Sequence, residues 1–353
     1  MNMHFRSFIV LMVIVMIATT AGCDTTSTNE DEQHAARNNQ TEQTDSTLSA
    51  LNKQIAEDPN NYAHYVARAR YYGEHQLYAE AFKDLDRAMQ IDSTRSDIYL
   101  YRGTLHWNKQ QIAEAYQQYL TCIQFDSTNT DCLLKAAGVD IASRNYDRAL
   151  LRINNALRVN QYLPEAYYLK GRMYKDMGDT TLAKSSYTTA IEVDPNYYDA
   201  YIELGLLYAA MRSDLASEYF TSAIALKPAS AEAWYNKAKY LQDTGTKNQK
   251  RYFEAFMCYD SLLRIDKQFA PAHFNKGYIW LEYLHNYDSA AFYFTKAIVV
   301  KSDYVQAYFN RGLCHESTER YNDAYQDYST ALSYEPQYTE AAVGKGRVER
   351  LRK

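Results

Sequence analysis

Aspartate or asparagine returns at Asp58, Asp92, Asp126, Asn160 and Asp194, 34 residues apart each time. The series continues with slips of 33, 39, 35 and 34 residues at Lys227, Asp266, Lys301 and Glu335. A period of this length is too long for one helix and too short for one domain. It is the mark of one supersecondary unit stacked on copies of itself. Within each unit an aromatic comes early, a Gly or Ala follows four residues on, and a large residue three after that. An Ala then opens a second set with the same spacing. Tyr167, Gly171, Tyr174, Ala183, Tyr187, Ala190 and Pro195 show the pattern, and Tyr308, Gly312, His315, Ala324, Tyr328, Ala331 and Pro336 repeat it. Spacings of 3, 4 and 7 place these residues on one helical face. The polar break at Met177-Gly178-Asp179-Thr180 ends one helix and starts the next. Each unit therefore reads as two antiparallel helices. The 35 Tyr against only 12 Gly and 6 Pro fit helices with amphipathic filler between them.

Tyr201, Leu204-Gly205, Tyr208, Ala216, Phe220, Ala223 and Pro228 closely resemble the tetratricopeptide repeat pattern. The resemblance covers roughly residues 46–352, with eight units starting near 62, 96, 130, 164, 198, 231, 270 and 305. It implies an all-α solenoid, a right-handed superhelix of about eight helix-turn-helix repeats, closed by a capping helix and filling 46–353. Arg68, Lys135 and His273 depart from the pattern where a large apolar residue is usual, and Asp140 stands where the second aromatic belongs.

Residues 1–22 read as a leader. Arg6 precedes an apolar run from Phe8 to Ala18, too short to span a bilayer. Thr20-Ala21-Gly22-Cys23 resembles the bacterial lipobox, with Thr20 a departure from the usual Leu. The resemblance implies cleavage before Cys23 and acylation of it, holding the protein on a membrane. Residues 23–45 then form an acidic linker without large apolar residues, unable to order itself. Its acids resemble surface-export signals of Bacteroidetes lipoproteins, whereas Asp24 resembles an inner-membrane retention signal. The expected address is the bacterial cell envelope, the outer membrane before the inner.

Losing Arg6 with the leader leaves 37 basic against 43 acidic residues, five of that excess in the linker. The repeats are close to neutral and carry no basic stripe of the kind a phosphate backbone needs. Nucleic acid is therefore not expected as a partner. No Gly-rich phosphate loop, nucleophile elbow or zinc spacing is present, so neither catalysis nor a cofactor or metal is expected. Cys122 closes one unit and Cys132 opens the next. A buried thiol in place of the usual Ala is the simpler reading of Cys122, and a bridge across the junction is the alternative.

The family resemblance implies that positions two, five, six, nine and twelve of each first helix face a ligand in a concave groove. Position five reads Val66, Leu100, Leu134, then Tyr168, Tyr235, Phe274 and Phe309. Position six reads Asn236, Asn275 and Asn310 in the later units. Asparagine offers both donors and an acceptor, so this ladder would clamp the main chain of a protein or peptide partner, or else bond neighbouring helices. Acids at position two (Asp97, Asp131, Glu165, Asp199, Glu232) suit the positive helix end. The insertion Gln242–Phe253, with Lys247, Lys250 and Arg251, is a further candidate contact. The expected function is a lipid-anchored binding scaffold that helps assemble an envelope complex. The alternative is a glycan-capturing surface lipoprotein using Trp107, Tyr235 and Phe274 as stacking platforms.

Overall fold

The computed structural model describes residues 46–352. The leader, Cys23 and the 23–45 linker lie outside the described residues. The described chain is helical throughout, with 18 α-helices and no strand. It falls into two compact units, divided between Thr94 and Arg95. The first holds α1 (46–57), α2 (Tyr62–Glu74) and α3 (Tyr78–Ile91). The second holds seven hairpins and a final helix. The hairpins are α4 (Ser96–Asn108) with α5 (Ile112–Phe125), α6 (Thr130–Ala142) with α7 (Tyr146–Val159), and α8 (Pro164–Asp176) with α9 (Thr180–Val193). They continue as α10 (Tyr198–Ala210) with α11 (Leu215–Leu226), α12 (Ala231–Asp243) with α13 (Lys250–Ile265), α14 (Ala270–Glu282) with α15 (Tyr287–Val300), and α16 (Val305–Ser317) with α17 (Tyr321–Tyr334). Helix α18 (Thr339–Leu351) closes the array. Within this unit each hairpin packs on the next, and first helices α6 and α8, α10 and α12, and α14 and α16 touch directly.

The recurring Asp or Asn marks the junction where a second helix hands over to the next first helix. Its side chain accepts the amide N–H two residues on: Asp92 from Thr94 at 3.0 Å, and Asp126 from Thr128, Asn160 from Tyr162, Asp194 from Asn196 and Asp266 from Gln268, each at 2.9 Å. These are Asx turns, in which a short polar side chain stands in for a backbone acceptor. The period in the sequence is therefore a period of turns.

The turn inside each hairpin has a different requirement. Gln76, Gln110, Arg144, Gly178, Arg212, His285 and Glu319 all take positive φ there, between 50° and 83°. That region costs an L-residue about 1–2 kcal/mol, against about 0.5–1 kcal/mol of extra chain entropy for glycine. Arg144→Gly is expected to stabilise the protein by about 0.5–1 kcal/mol, and Gly178→Ala to destabilise it by a similar amount, both read from denaturant midpoints.

The core is built from close contact of small residues with rings. The ring of Phe220 on α11 lies directly on Gly205 of α10, in space that a Cβ would need. Phe220 and the flanking Ala216 and Ala223 have no exposed surface. The same pairing places Tyr187 on Gly171, where an added Cβ would sit 2.5 Å from the ring.

Two departures from the repeat pattern, Arg68 and Asp140, are resolved by pairing. Arg68 donates to both carboxylate oxygens of Asp84 at 2.7 Å and to Asn52 at 2.7 Å, so it bridges α2 to both flanking helices. Arg311 does the same with Asp327 and Thr295. Asp140 is buried and paired with Arg152, and accepts from the Tyr116 hydroxyl at 2.7 Å. His273 is half-buried, and its pKa is pushed down by burial and then by Lys296 and Lys276.

Cys122 and Cys132 form a disulfide, which corrects the simpler expectation of a buried thiol. Both residues are fully buried. One repeat later the equivalent positions are Ala156 and Ala166, both fully buried. Closing a loop of about this size stabilises by roughly 3 kcal/mol in the chain-entropy account. The double variant Cys122→Ala, Cys132→Ala keeps the packing of its neighbours and is expected to lose about 2–3 kcal/mol in chemical denaturation. Cys258 and Cys314 are free and buried, and burial pushes their thiols up to about 11 and about 12.

Candidate binding surface on the first helices

The four aromatics at position five are half-buried, and each is stacked between repeats. Tyr168 lies 5.7 Å from Tyr187 and 5.4 Å from Tyr197, ring centre to ring centre. Tyr235 meets Tyr259 and Phe269, Phe274 meets Phe294 and Tyr304, and Phe309 meets Tyr328 and Tyr338. One partner comes from the same hairpin's second helix and the other stands just before the next first helix. Burial pushes the Tyr168 and Tyr304 phenols up to about 12. These rings are the mortar between units.

The asparagines are not equivalent. Asn275 is buried, at 8% exposure, and its amide hydrogen-bonds the Tyr259 oxygen. Tyr259 in turn donates to Gln242 at 2.8 Å. Asn275 therefore bonds helices together. Asn236 and Asn310 are half-exposed. Asn236 opens on a cavity of about 400 Å³ walled by Leu206, Arg212, Lys239, Tyr240 and Tyr283. Lys239 is ion-paired with Asp243 one turn on.

The insertion is packed down. Thr244 is buried and its hydroxyl donates to the Tyr240 carbonyl at 2.7 Å. Arg251 pairs with Asp214 at 2.7 Å, and Tyr252 stacks 4.4 Å from Tyr283. Its chain reinforces the wall of the Asn236 cavity.

A second cavity, of about 340 Å³, spans α4, α6 and α8. It draws on position two (Glu165), five (Leu134), six (Lys135, Leu169), nine (Thr104, Gly138, Arg172) and twelve (Trp107). Trp107 is 45% exposed. Positions nine and twelve thus supply open lining, whereas the four aromatics at position five are taken up in packing. Between these cavities Lys175 of α8 bridges to Glu203 of α10 at 2.6 Å.

The tetratricopeptide repeat pattern matches residues 164–197 and again 305–338. Each match begins on a first helix and ends on the junction turn. The chain is a tetratricopeptide repeat protein. It is similar to anaphase-promoting complex subunit 3 of Schizosaccharomyces pombe, 25% identical over 199 residues covering 56% of this chain and 29% of that one. It is also similar to human tetratricopeptide repeat protein 6, 27% identical over 188 residues covering 52% of this chain and 34% of the relative. The chain thus spans about a third of the length of these curated relatives. The crystal structure of yeast Tom70 shares the fold, at a TM-score of 0.53 and 14% identity, over 78% of this chain and 60% of that one. Among the described residues no cluster of His, Cys, Asp and Glu is arranged to hold a metal ion, and no helix is long and apolar enough to cross a membrane.

Proposed function

We propose that this tetratricopeptide repeat array is a scaffold that captures a protein or peptide along a groove formed by its first helices. We further propose that Cys23 carries a lipid anchor in the bacterial envelope, with the outer membrane as its site. There the array would recruit or assemble a larger complex. One observation carries the binding reading: both the 400 Å³ and the 340 Å³ cavities are lined mainly by first helices. Pockets of roughly this size hold ligand side chains. The Cys122–Cys132 bridge supports a location outside the cytosol, because such bonds persist in oxidising compartments. The S. pombe relative is by name a subunit of a multiprotein complex.

Phe274 and Asn275 are poor probes of this groove, because both are built into the packing. Asn236→Ala with Lys239→Ala removes only half-exposed side chains. This pair is expected to reduce cross-linked partner by tenfold or more while leaving the melting temperature in place. Capture at the wild-type level would remove the groove assignment. Cys23→Ser is expected to release the protein from the membrane pellet into the soluble fraction, and retention in the pellet would remove the anchor. The exposed Trp107 favours a second reading, glycan capture by stacking, which direct oligosaccharide titration separates from the first.

A further inference from the structure

One wall of the 340 Å³ cavity lacks a side chain. Position nine of three successive first helices reads Thr104, Gly138 and Arg172. A Cβ built on Gly138 would meet nothing within 4 Å. This glycine therefore leaves a notch where its neighbours put side chains, unlike Gly205, which is filled by a ring. The floor of the notch is apolar: Leu134 and Leu169 are 2% and 5% exposed. Trp107 stands at its edge with nearly half its surface open. The rim is charged, with Lys135 and Arg172 against Glu165. Among the described residues neither cation is in an ion pair.

These features select the chemistry of an occupant. The apolar side chains of Leu134 and Leu169 reward a large hydrocarbon or aromatic side chain. The two leucines offer no hydrogen bond to a sugar hydroxyl. The indole adds a face for an aromatic ring. Two free cations against one acid attract a carboxylate next to the inserted side chain. Resting on the scaffold reading above, we propose that the Gly138 notch anchors an acidic peptide segment of the partner. The segment presents one large apolar side chain to the notch, and an adjacent Asp or Glu faces Lys135 and Arg172.

The test uses the full chain and a fluorescein-labelled dodecapeptide, blocked at both ends, with a central Phe-Glu-Glu in a Gly-Ser background. Saturable binding is expected, with a change in tryptophan emission that Trp107→Phe removes. Gly138→Leu fills the notch from a Cβ that already points into open space. It is expected to weaken binding at least tenfold with the melting temperature unchanged. Lys135→Glu with Arg172→Glu is expected to weaken this peptide similarly and to strengthen binding of a Phe-Lys-Lys peptide. Replacing Phe by Ser in the probe is expected to abolish binding. Equal affinity for the Gly138→Leu variant or for the Ser peptide overturns the proposal. So does absence of saturation, or displacement of the peptide by chitohexaose. If cross-linked partner survives Gly138→Leu but is lost in the Asn236, Lys239 variant, the scaffold stands and this subsite falls.

Discussion

Phe220→Ala is expected to cost about 3–5 kcal/mol, the range for removing a fully enclosed aromatic ring. The ring has no exposed surface, and it closes on Gly205 across the hairpin while Ala216 and Ala223 flank it on its own helix. Relaxation cannot fill the void, because glycine has no side chain to move. The reverse error, Gly205→Ala, adds one methyl where the ring already lies and is expected to cost about 1–3 kcal/mol. Stability in an array is a sum of repeat and interface terms, so the damage will be regional. Hydrogen exchange should show α10 and α11 opening first. Uniform loss of protection along the chain would contradict the stacked architecture.

A loss of similar size is expected at Asp140, for an electrostatic reason. Its carboxylate is 1% exposed and faces Arg152 and the Tyr116 hydroxyl. Arg152→Met strands a buried charge, a change that costs about 3–5 kcal/mol. Asp140→Leu together with Arg152→Met removes both charges and offers hydrocarbon instead. Replacement of a buried pair in this way is often neutral or stabilising. The double variant is therefore expected to lie within about 1 kcal/mol of the parent in urea denaturation. Equal losses in the single and double variants would show that the site is held by shape and not by the pair.

The fold was legible because it repeats. A 34-residue period of Asx turns and a Gly facing an aromatic ring leave traces in composition and spacing. The starts of the eight hairpins follow from them. Asp140 looked like a defect in that pattern, because its partners Tyr116 and Arg152 lie 24 residues before it and 12 after it, on helices of two different hairpins.

The candidate site was less legible. The family resemblance makes position five ligand-facing, yet its rings are packed against Tyr197, Phe269, Tyr304 and Tyr338, the aromatics just before the next first helices. Those four residues were visible in the sequence as the missing signal. Asn275 differs from Asn236 only through its surroundings, since the Tyr259 hydroxyl reaches one and a cavity faces the other. Gly138 was hidden for a related reason: a glycine that leaves room reads the same as one that is filled.

The bond between Cys122 and Cys132 has a mechanical meaning. An array held at one end and pulled at the other comes apart hairpin by hairpin, each step lengthening the thread. The ten-residue stretch between these sulfurs cannot lengthen while the bond holds, which withholds about 35 Å of slack. Tension reaching the seam between α5 and α6 passes through the bond, so the turn between these helices keeps its length while hairpins on either side open.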